Sequence, residues 1–407
     1  MANTLKFGNG EWATKKGSTL AYNDENGNFK PLPFTFDRAS EATRVNKDGL
    51  IEVVSNNEPR IDFLNDSKGA LLLELQRSNI LLQSNQFDTT WILSSSIDLT
   101  SGQIGVGGSN NAWLLKRNST GSRYVQQSLS LSSAKYSYSV YLKAESTNWA
   151  FIWSYDGSAS VNAYFDLENG VVGQTGGALD STNIESVGNG WYRCTLIYTQ
   201  ATDLIRIYPA YSNGNISTGT DNGIYIQYAQ IEQGSYPTSY IPTQGSAVTR
   251  VEDSCSQTVP SGIIGQTEGT MFFEIDFANT SGVAGAWSIS NGSSANRITM
   301  NTTNYSSTHF TLSVAQNYNS GSTKLASSNV TFSDKHKVVI KYSGTTLKLF
   351  VDGQLSDSVP TDGFGNYTKF YIGGNQVGVG GDARKFIQAD LYNTALTDSE
   401  CITLTSL

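Results

Sequence analysis

The sequence predicts an all-β protein: two tandem antiparallel jelly-roll sandwiches preceded by an irregular, short-stranded N-terminal docking region. Three observations lead there. Apolar and aromatic residues alternate with polar ones over many short runs, the pattern of strands with one buried face. Gly (39 residues), Tyr (21) and many Ser, Thr and Asn residues favour pleated strands joined by tight turns. A length of 407 residues exceeds one ordinary core, so two or three modules of ~100 to 200 residues are expected.

Residues 1–84 hold short apolar pieces such as LIEVV and ALLLEL between the turn clusters NDENGN, NKDG, SNNEPR and NDSKG. Strands this short must borrow a partner to bury their apolar faces, so the region is expected to dock or assemble rather than fold freely. Residues 85–257 alternate most clearly. In YSYSVYLKAE, Tyr136, Tyr138, Val140 and Leu142 fall on one face; in WYRCTLIY, Tyr192, Cys194, Leu196 and Tyr198 oppose Trp191, Arg193, Thr195 and Ile197. Such strands, broken by Gly, Asn and Ser turns, indicate an antiparallel sandwich. Residues 258–407 repeat the pattern in GTMFFEIDF, HFTLSVAQ, HKVVIKYSGTTLKLFVDGQ and KFYIGGN, where SG and DG mark tight hairpin turns around Leu347, Leu349 and Val351. Near the end, Thr397 and Glu400 stand three apart as in a capping box, which predicts a short helical turn.

Net charge is −8, and no basic cluster is longer than the KK at 15–16. Nucleic-acid binding needs concentrated positive charge, so that class is excluded. Cys194, Cys255 and Cys401 are odd in number, far apart and without a CxxC, which points to buried free thiols rather than a disulfide framework or zinc site. The opening MANTLKFGNGEWATKKG lacks the pattern of a secretory signal, and no run approaches the ~18 apolar residues of a span, so no membrane insertion is expected.

In residues 258–407, the succession HKVVIKYSGTTLKLFVDG, YIGGN and ADLYNTALTDSE resembles the concanavalin A-like, laminin-G-like jelly roll. The earlier part resembles a module of tailed-bacteriophage virion proteins. Its signature segments are FDRASEATRVNKDGLIEVVSNNEPRIDF, GALLLELQRSNILLQSNQFDTTW and, after a carbohydrate-binding-module-like sandwich, YAQIEQGSYPTSYIPTQGSAVTRVEDS. The word RASEATRV at 38–45 is echoed by SAVTRVEDS at 246–254. In a jelly roll the first and last strands lie together, so the two stretches are expected to flank the second module and close its ends side by side; chance recurrence in a Ser/Thr-rich chain is the alternative.

Some concanavalin-like folds are glycoside hydrolases whose acids follow Glu-x-Asp-x-Glu on one strand face. Here FFEIDFAN supplies Glu274 and Asp276, but Ala278 stands where the third acid belongs, so no catalytic residue is assigned and the protein is expected not to be an enzyme. Polysaccharide lyases of similar shape use histidine; His309 and His336 are read as strand residues. The strings GVGG at 105–108 and GVGGD at 378–382 lack a strand-then-helix context and are read as loops. Loops bearing Asp352, Asp357, Asp362 and Asp382 offer oxygens to calcium, as laminin-G-like domains sometimes do, but solvated turn acids are the default, and no metal site or cofactor is predicted.

Binding is the stronger expectation. Trp91, Trp113, Trp149, Trp153 and Trp191 lie in the second region. Sugar rings present C–H faces that stack on flat aromatics, while polar side chains take the hydroxyls. Trp191 is read as core. Trp149 and Trp153, four apart and on one strand face, with Asp156 just beyond, are the candidate glycan-binding residues.

The resemblance implies a virion structural protein made in the host cytoplasm, a capsid-associated fibre or decoration or a tail appendage. Its implied partners are other virion proteins, further copies of itself with a trimer favoured, and cell-surface or environmental glycans. Two alternatives stay open: a bacterial polysaccharide-binding or polysaccharide-degrading protein, and an architectural virion component that binds no glycan.

Overall fold

Nearly every regular segment in the computed structural model is a β-strand, and one short helix closes the chain. The structure describes residues 4–25, 28–279, 284–304, 309–319, 321, 323–331, 335–373 and 383–407. Among these, no helix is long and apolar enough to cross a membrane. The chain divides into two units: Met1–Lys47, Val53–Gln76 and Val251–Leu407 form the first; Asp48–Glu52 and Arg77–Arg250 form the second.

The first unit is an antiparallel sandwich. In one layer the strands Leu5–Gly8, Ala383–Tyr392, Glu268–Asn279, Lys335–Ser343, Thr346–Val351 and Gln354–Pro360 pair in that order. In the other, Asn28–Asp37 pairs with Ser254–Thr258, followed by Lys369–Ile372, Ala284–Ser290, Arg297–Asn304, His309–Asn317 and Lys324–Thr331. The expected two-residue hairpin turns are present. Ser343 faces Thr346, and Val351 faces Gln354 across Asp352 and Gly353, both at positive φ. The helix Asp398–Thr405 begins with the expected capping box, in which the Thr397 side chain accepts from Glu400 N and Glu400 accepts from Thr397 N. Around Cys401 and Leu396 it shields Phe272, Val339 and Phe350 on the outer face of the first layer.

This architecture corrects the expectation of a separate N-terminal docking region over residues 1–84. The short strands do borrow a partner, but it is the C-terminal sandwich of the same chain. Leu5–Gly8 and Asn28–Asp37 extend one layer each, and Leu5, Phe7, Phe34, Phe36, Leu71 and Leu73 share one core with Phe273 and Trp287. Burying such residues stabilises by roughly 1.5–3 kcal/mol each, which would be lost in a free arm. The boundaries expected after 84 and 257 fall instead after Gln76 and Arg250, so the second unit is inserted into the first along the chain.

The echoed words find their explanation at this insertion. Arg38, Arg60, Glu74 and Asp253 form a buried ion cluster in the first unit. Asp253 Oδ1 accepts from Arg38 Nη1 at 3.1 Å, its Oδ2 accepts from Arg60 Nη2 and from Glu74 N, and Arg60 Nη1 donates to Glu74 Oε2 at 2.7 Å. Asp253 N donates to Glu74 O, so the outgoing and returning chains are tied together. Val251 N adds a bond to Ser40 Oγ. The two stretches thus meet through side chains in the first unit, and the strand closing the second unit beside Val248–Arg250 is Arg77–Asn79.

The second unit is a sandwich organised by two 20-residue strands, Val125–Ala144 and Trp191–Ala210, which pair with each other along their length. Register shifts between Ser128 and Ala134 bend the pair, so each strand contributes to both layers. One layer holds Ile97–Gln103, Ala112–Arg117, Gly223–Gln233, residues 134–144, residues 191–200 and Leu179–Ser186. The other holds Ile92–Leu93, residues 125–128, residues 204–210, Trp149–Tyr155, Ser160–Asp166 and Val171–Gly176. Between them lie Tyr138, Val140, Leu142, Cys194, Leu196, Ile152, Val161, Phe165 and Ile207.

The recognisable words at both ends of this unit are structural fastenings. Buried Asn79 donates to Ala229 O and Ile241 O and accepts from Leu81 N and Ile231 N, using its full capacity. Glu232, fully buried, accepts from Thr238 N, Thr238 Oγ1 and Gln230 Nε2, which folds the TSYIPT segment back over the sheet. All three cysteines are free and buried, as the sequence predicts.

Candidate functional site

The strand Trp149–Tyr155 divides its side chains by alternation. Ala150 and Ile152 enter the core of the second unit, while Trp149, Phe151, Trp153 and Tyr155 line the opposite face. Residues directly across antiparallel pairs share a face. The register therefore builds rows on that outer surface: Asn162, Trp153, Arg206 and Gln126 in one, Tyr164, Phe151 and Tyr208 in the next, Asp166 and Trp149 beyond. Tyr124 packs at the end of the middle row, its ring centroid 5.1 Å from that of Tyr208.

Phe151, Tyr164 and Tyr208 form a buried floor, with Phe151 4.5 Å from Tyr164 and 5.2 Å from Tyr208 between ring centroids. Burial pushes the Tyr208 phenol above its ordinary pKa, opposed by the bond from Arg206. Above this floor stand half-buried Trp149, Trp153, Tyr155, Tyr124 and Arg206. The rings of Trp153 and Tyr155 are stacked, 9° from parallel and 5.2 Å between centroids. Asn162 makes no side-chain hydrogen bond to any described residue.

The structure brings the two predicted tryptophans to one face but gives them different settings. Trp149 lies against the strand Val171–Gly176; a Cβ on Gly173 would stand 2.6 Å from Trp149 Cζ3 and 2.6 Å from Asn213 Oδ1, so only glycine admits this approach. Trp153 lies under the guanidinium of Arg206, 4.6 Å from its ring centroid. Asp156 serves the hairpin: its Oδ1 accepts from Ser158 N, Ser158 Oγ and Ala159 N. Those backbone bonds, from Ala159 first, hold its carboxyl below the ordinary carboxylate range. Asp166 is likewise engaged. Burial raises its carboxyl, and the side chain and amide of Asn169 with the amide of Glu168 outweigh that and lower it.

Sequence reasoning passed over Arg206, Tyr208, Tyr124 and Asn162. LIRIY carries the signal for two of them, since Ile205 and Ile207 mark the buried face and leave Arg206 and Tyr208 on the other. Which strands adjoin is not written locally. Of the remaining tryptophans in this unit, Trp91, Trp113 and Trp191 are buried, Trp191 as expected.

Elsewhere, Glu274 and Asp276 are half-buried and face Lys337 and Lys335 across the strand pair. His336 is buried with both ring nitrogens engaged, Nδ1 with Asp352 Oδ2 at 2.7 Å and Nε2 with Thr331 O at 3.1 Å. Asp357 accepts from Ser327 N and Ser358 N, and Asp362 pairs with Lys324. Those acids therefore have separate uses, and no cluster able to hold a metal ion occurs among the described residues. Asp382 and the GVGGD string lie outside the described residues. The first unit has a polar cleft of about 270 Å³ lined by Lys6, Phe7, Asn9, Glu11, Gln388 and Asp390 among others.

No family model matches the chain, and no curated protein does. Among solved structures it is similar to the carbohydrate-binding module of a Ruminococcus gnavus sialidase bound to α2,3-sialyllactose, at 18% identity over 35% of this chain and 84% of that one, with a TM-score of 0.30. The mouse laminin α1 domains LG4–5 are similar at 10% identity over 77% and 88%, with a TM-score of 0.22. A Bacteroides ovatus glycoside hydrolase of the xyloglucan locus, GH43B, is similar at 8% identity over 95% of each chain, with a TM-score of 0.26. At these scores the functional reading rests on the chain's own residues. What its own fold defines is the class: an all-β protein of two antiparallel sandwich units.

Proposed function

We propose that this chain is a non-enzymatic adhesion protein whose second unit binds glycans on the outer face built by Trp149–Tyr155. The observation that carries the reading is the stacked, half-buried Trp153–Tyr155 pair beside unpartnered Asn162. A sugar ring needs such an apolar plane with hydroxyl partners at its rim. Trp149 stands on the same face, packed on the Phe151–Tyr208 floor beside Gly173, and Asp156 holds the adjoining hairpin rather than the ligand.

The setting follows from the sequence motifs. Their resemblance to tailed-phage modules supports a surface-exposed virion component, made in the host cytoplasm and displayed as a capsid decoration, fibre or tail appendage. Neighbouring virion proteins and further copies of the chain, a trimer first among them, are its partners. Display in many copies turns weak single sites into strong adhesion.

The test is a glycan array probed with the intact protein and with a Trp149→Ala/Trp153→Ala variant, both checked for folding by circular dichroism. Binding by the intact protein that the folded variant loses supports the reading. Binding by neither overturns it and leaves an architectural role in the particle.

A further inference from the structure

One row on the aromatic face is built around a cation without an anion. The guanidinium carbon of Arg206 lies 4.0 Å from the ring centroid of Tyr124 and 4.6 Å from that of Trp153. Its Nε donates to Gln126 Oε1 at 2.9 Å and its Nη1 to Tyr208 Oη at 3.2 Å. Two neutral acceptors therefore hold the fork and two rings hold its plane. Among the described residues no carboxylate lies within salt-bridge distance of it.

Other arginines also lack a carboxylate, but buried Arg117 spends its fork on the carbonyls of Ser119, Gly121 and Ile216, and buried Arg193 donates to Ser139. The buried arginines of the first unit, Arg38 and Arg60, both reach carboxylates. Cation–π contact accounts for Arg206 lying on the rings. It does not use the donors that remain. Guanidinium carries five N–H groups in a rigid fork suited to two parallel bonds with a carboxylate. Here two are committed, the side chain is only half-buried, and the Trp153–Tyr155 platform and Asn162 adjoin it in the same face.

We propose that the ligand of this face is an acidic glycan, a polymer of sugars bearing carboxylates, and that Arg206 is the residue that reads the carboxylate. The proposal rests on the adhesion reading and narrows it. In this arrangement the sugar ring lies against the outer face of the Trp153–Tyr155 stack, a hydroxyl reaches Asn162, and the carboxylate meets the free edge of the fork. Tyr124, Gln126 and Tyr208 are positioning residues that fix Arg206 before the ligand arrives, so little side-chain freedom is lost on binding.

The test uses the intact protein with polygalacturonate, alginate and hyaluronate, each beside its carboxyl-reduced counterpart, which keeps the polymer and removes the charge. At least one acidic polymer is expected to bind about tenfold to a hundredfold more tightly than its reduced form, the range for a hydrogen bond to a charged group. The difference should shrink as salt rises. Arg206→Gln should abolish the acid preference while leaving residual binding on the aromatic plane, and Arg206→Lys should restore only part of it.

Equal affinity for acidic and reduced forms, or binding to neutral glycans alone, overturns the inference and leaves the adhesion reading standing. Acid-selective binding that survives in a folded Arg206→Gln variant overturns the assignment to Arg206. Binding to no glycan removes both. If Arg206→Gln fails to fold, the Arg206→Lys variant and the acid-against-reduced comparison decide.

Discussion

Asp253→Asn exchanges a single heavy atom, yet it should be among the most damaging substitutions available in the first unit. The side chains of Arg38, Arg60 and Asp253 have no exposed surface, and that of Glu74 is 4% exposed. Asp253 touches three of the chain segments that the cluster holds. An amide removes one charge and points N–H groups at a guanidinium. Breaking a buried pair in this way costs about 3–5 kcal/mol, against about 0–1 kcal/mol for an exposed pair. With a urea dependence of about 2–3 kcal/mol per molar, the midpoint should fall by ~1–2.5 M. The assay is urea unfolding followed by near-ultraviolet circular dichroism, with Lys135→Gln as a control, since Lys135 pairs with Asp180 at the surface. Hydrogen exchange should locate the loss in the strands of the first unit. A loss below about 1 kcal/mol, no greater than the control, would refute the view that the cluster is a desolvated fastening.

Two further outcomes follow from single contacts. Gly173→Ala should displace Trp149 or Asn213, destabilise the unit by about 1–3 kcal/mol, and shift tryptophan emission; an unchanged spectrum and stability would show that the strand yields freely. At the C-terminal helix, hydrogen bonds from Lys341 and Lys348 hold the Asp398 carboxyl below its ordinary value. Its folded pKa is thus below its unfolded one, so its stabilisation is complete above about pH 4 and is lost as pH falls through the folded value. The Tm gap between the intact protein and Asp398→Asn should therefore close on acidification, and a gap constant down to about pH 2 would contradict it.

Much of the architecture is legible because it is local. Alternation marks the strand faces from Tyr136 to Leu142 and from Tyr192 to Tyr198, and the turn pair at Asp352–Gly353 and the capping box at Thr397 sit where the sequence puts them. The partner of the N-terminal strands is not legible, because Leu5–Gly8 pairs with residues nearly the whole chain away and no local pattern records that. The recurring RASEATRV and VTRVEDS words are visible as words. Their content, Arg38 of the first word buried on Asp253 of the second, is hidden because charged residues in turn-rich stretches ordinarily face water. The same holds at the site. Trp149 and Trp153 announce themselves by composition and spacing, whereas Arg206 becomes notable only once Tyr124, Gln126 and Tyr208 gather around it.

The most direct measurement of the central claim is backbone hydrogen exchange of the intact protein with and without a polysaccharide that it retains on an array. Glycan adhesion through the aromatic face predicts new protection confined to residues 124–128, 149–166 and 204–210 of the second unit. Protection concentrated in the first unit, or along the opposite layer of the second, would contradict it.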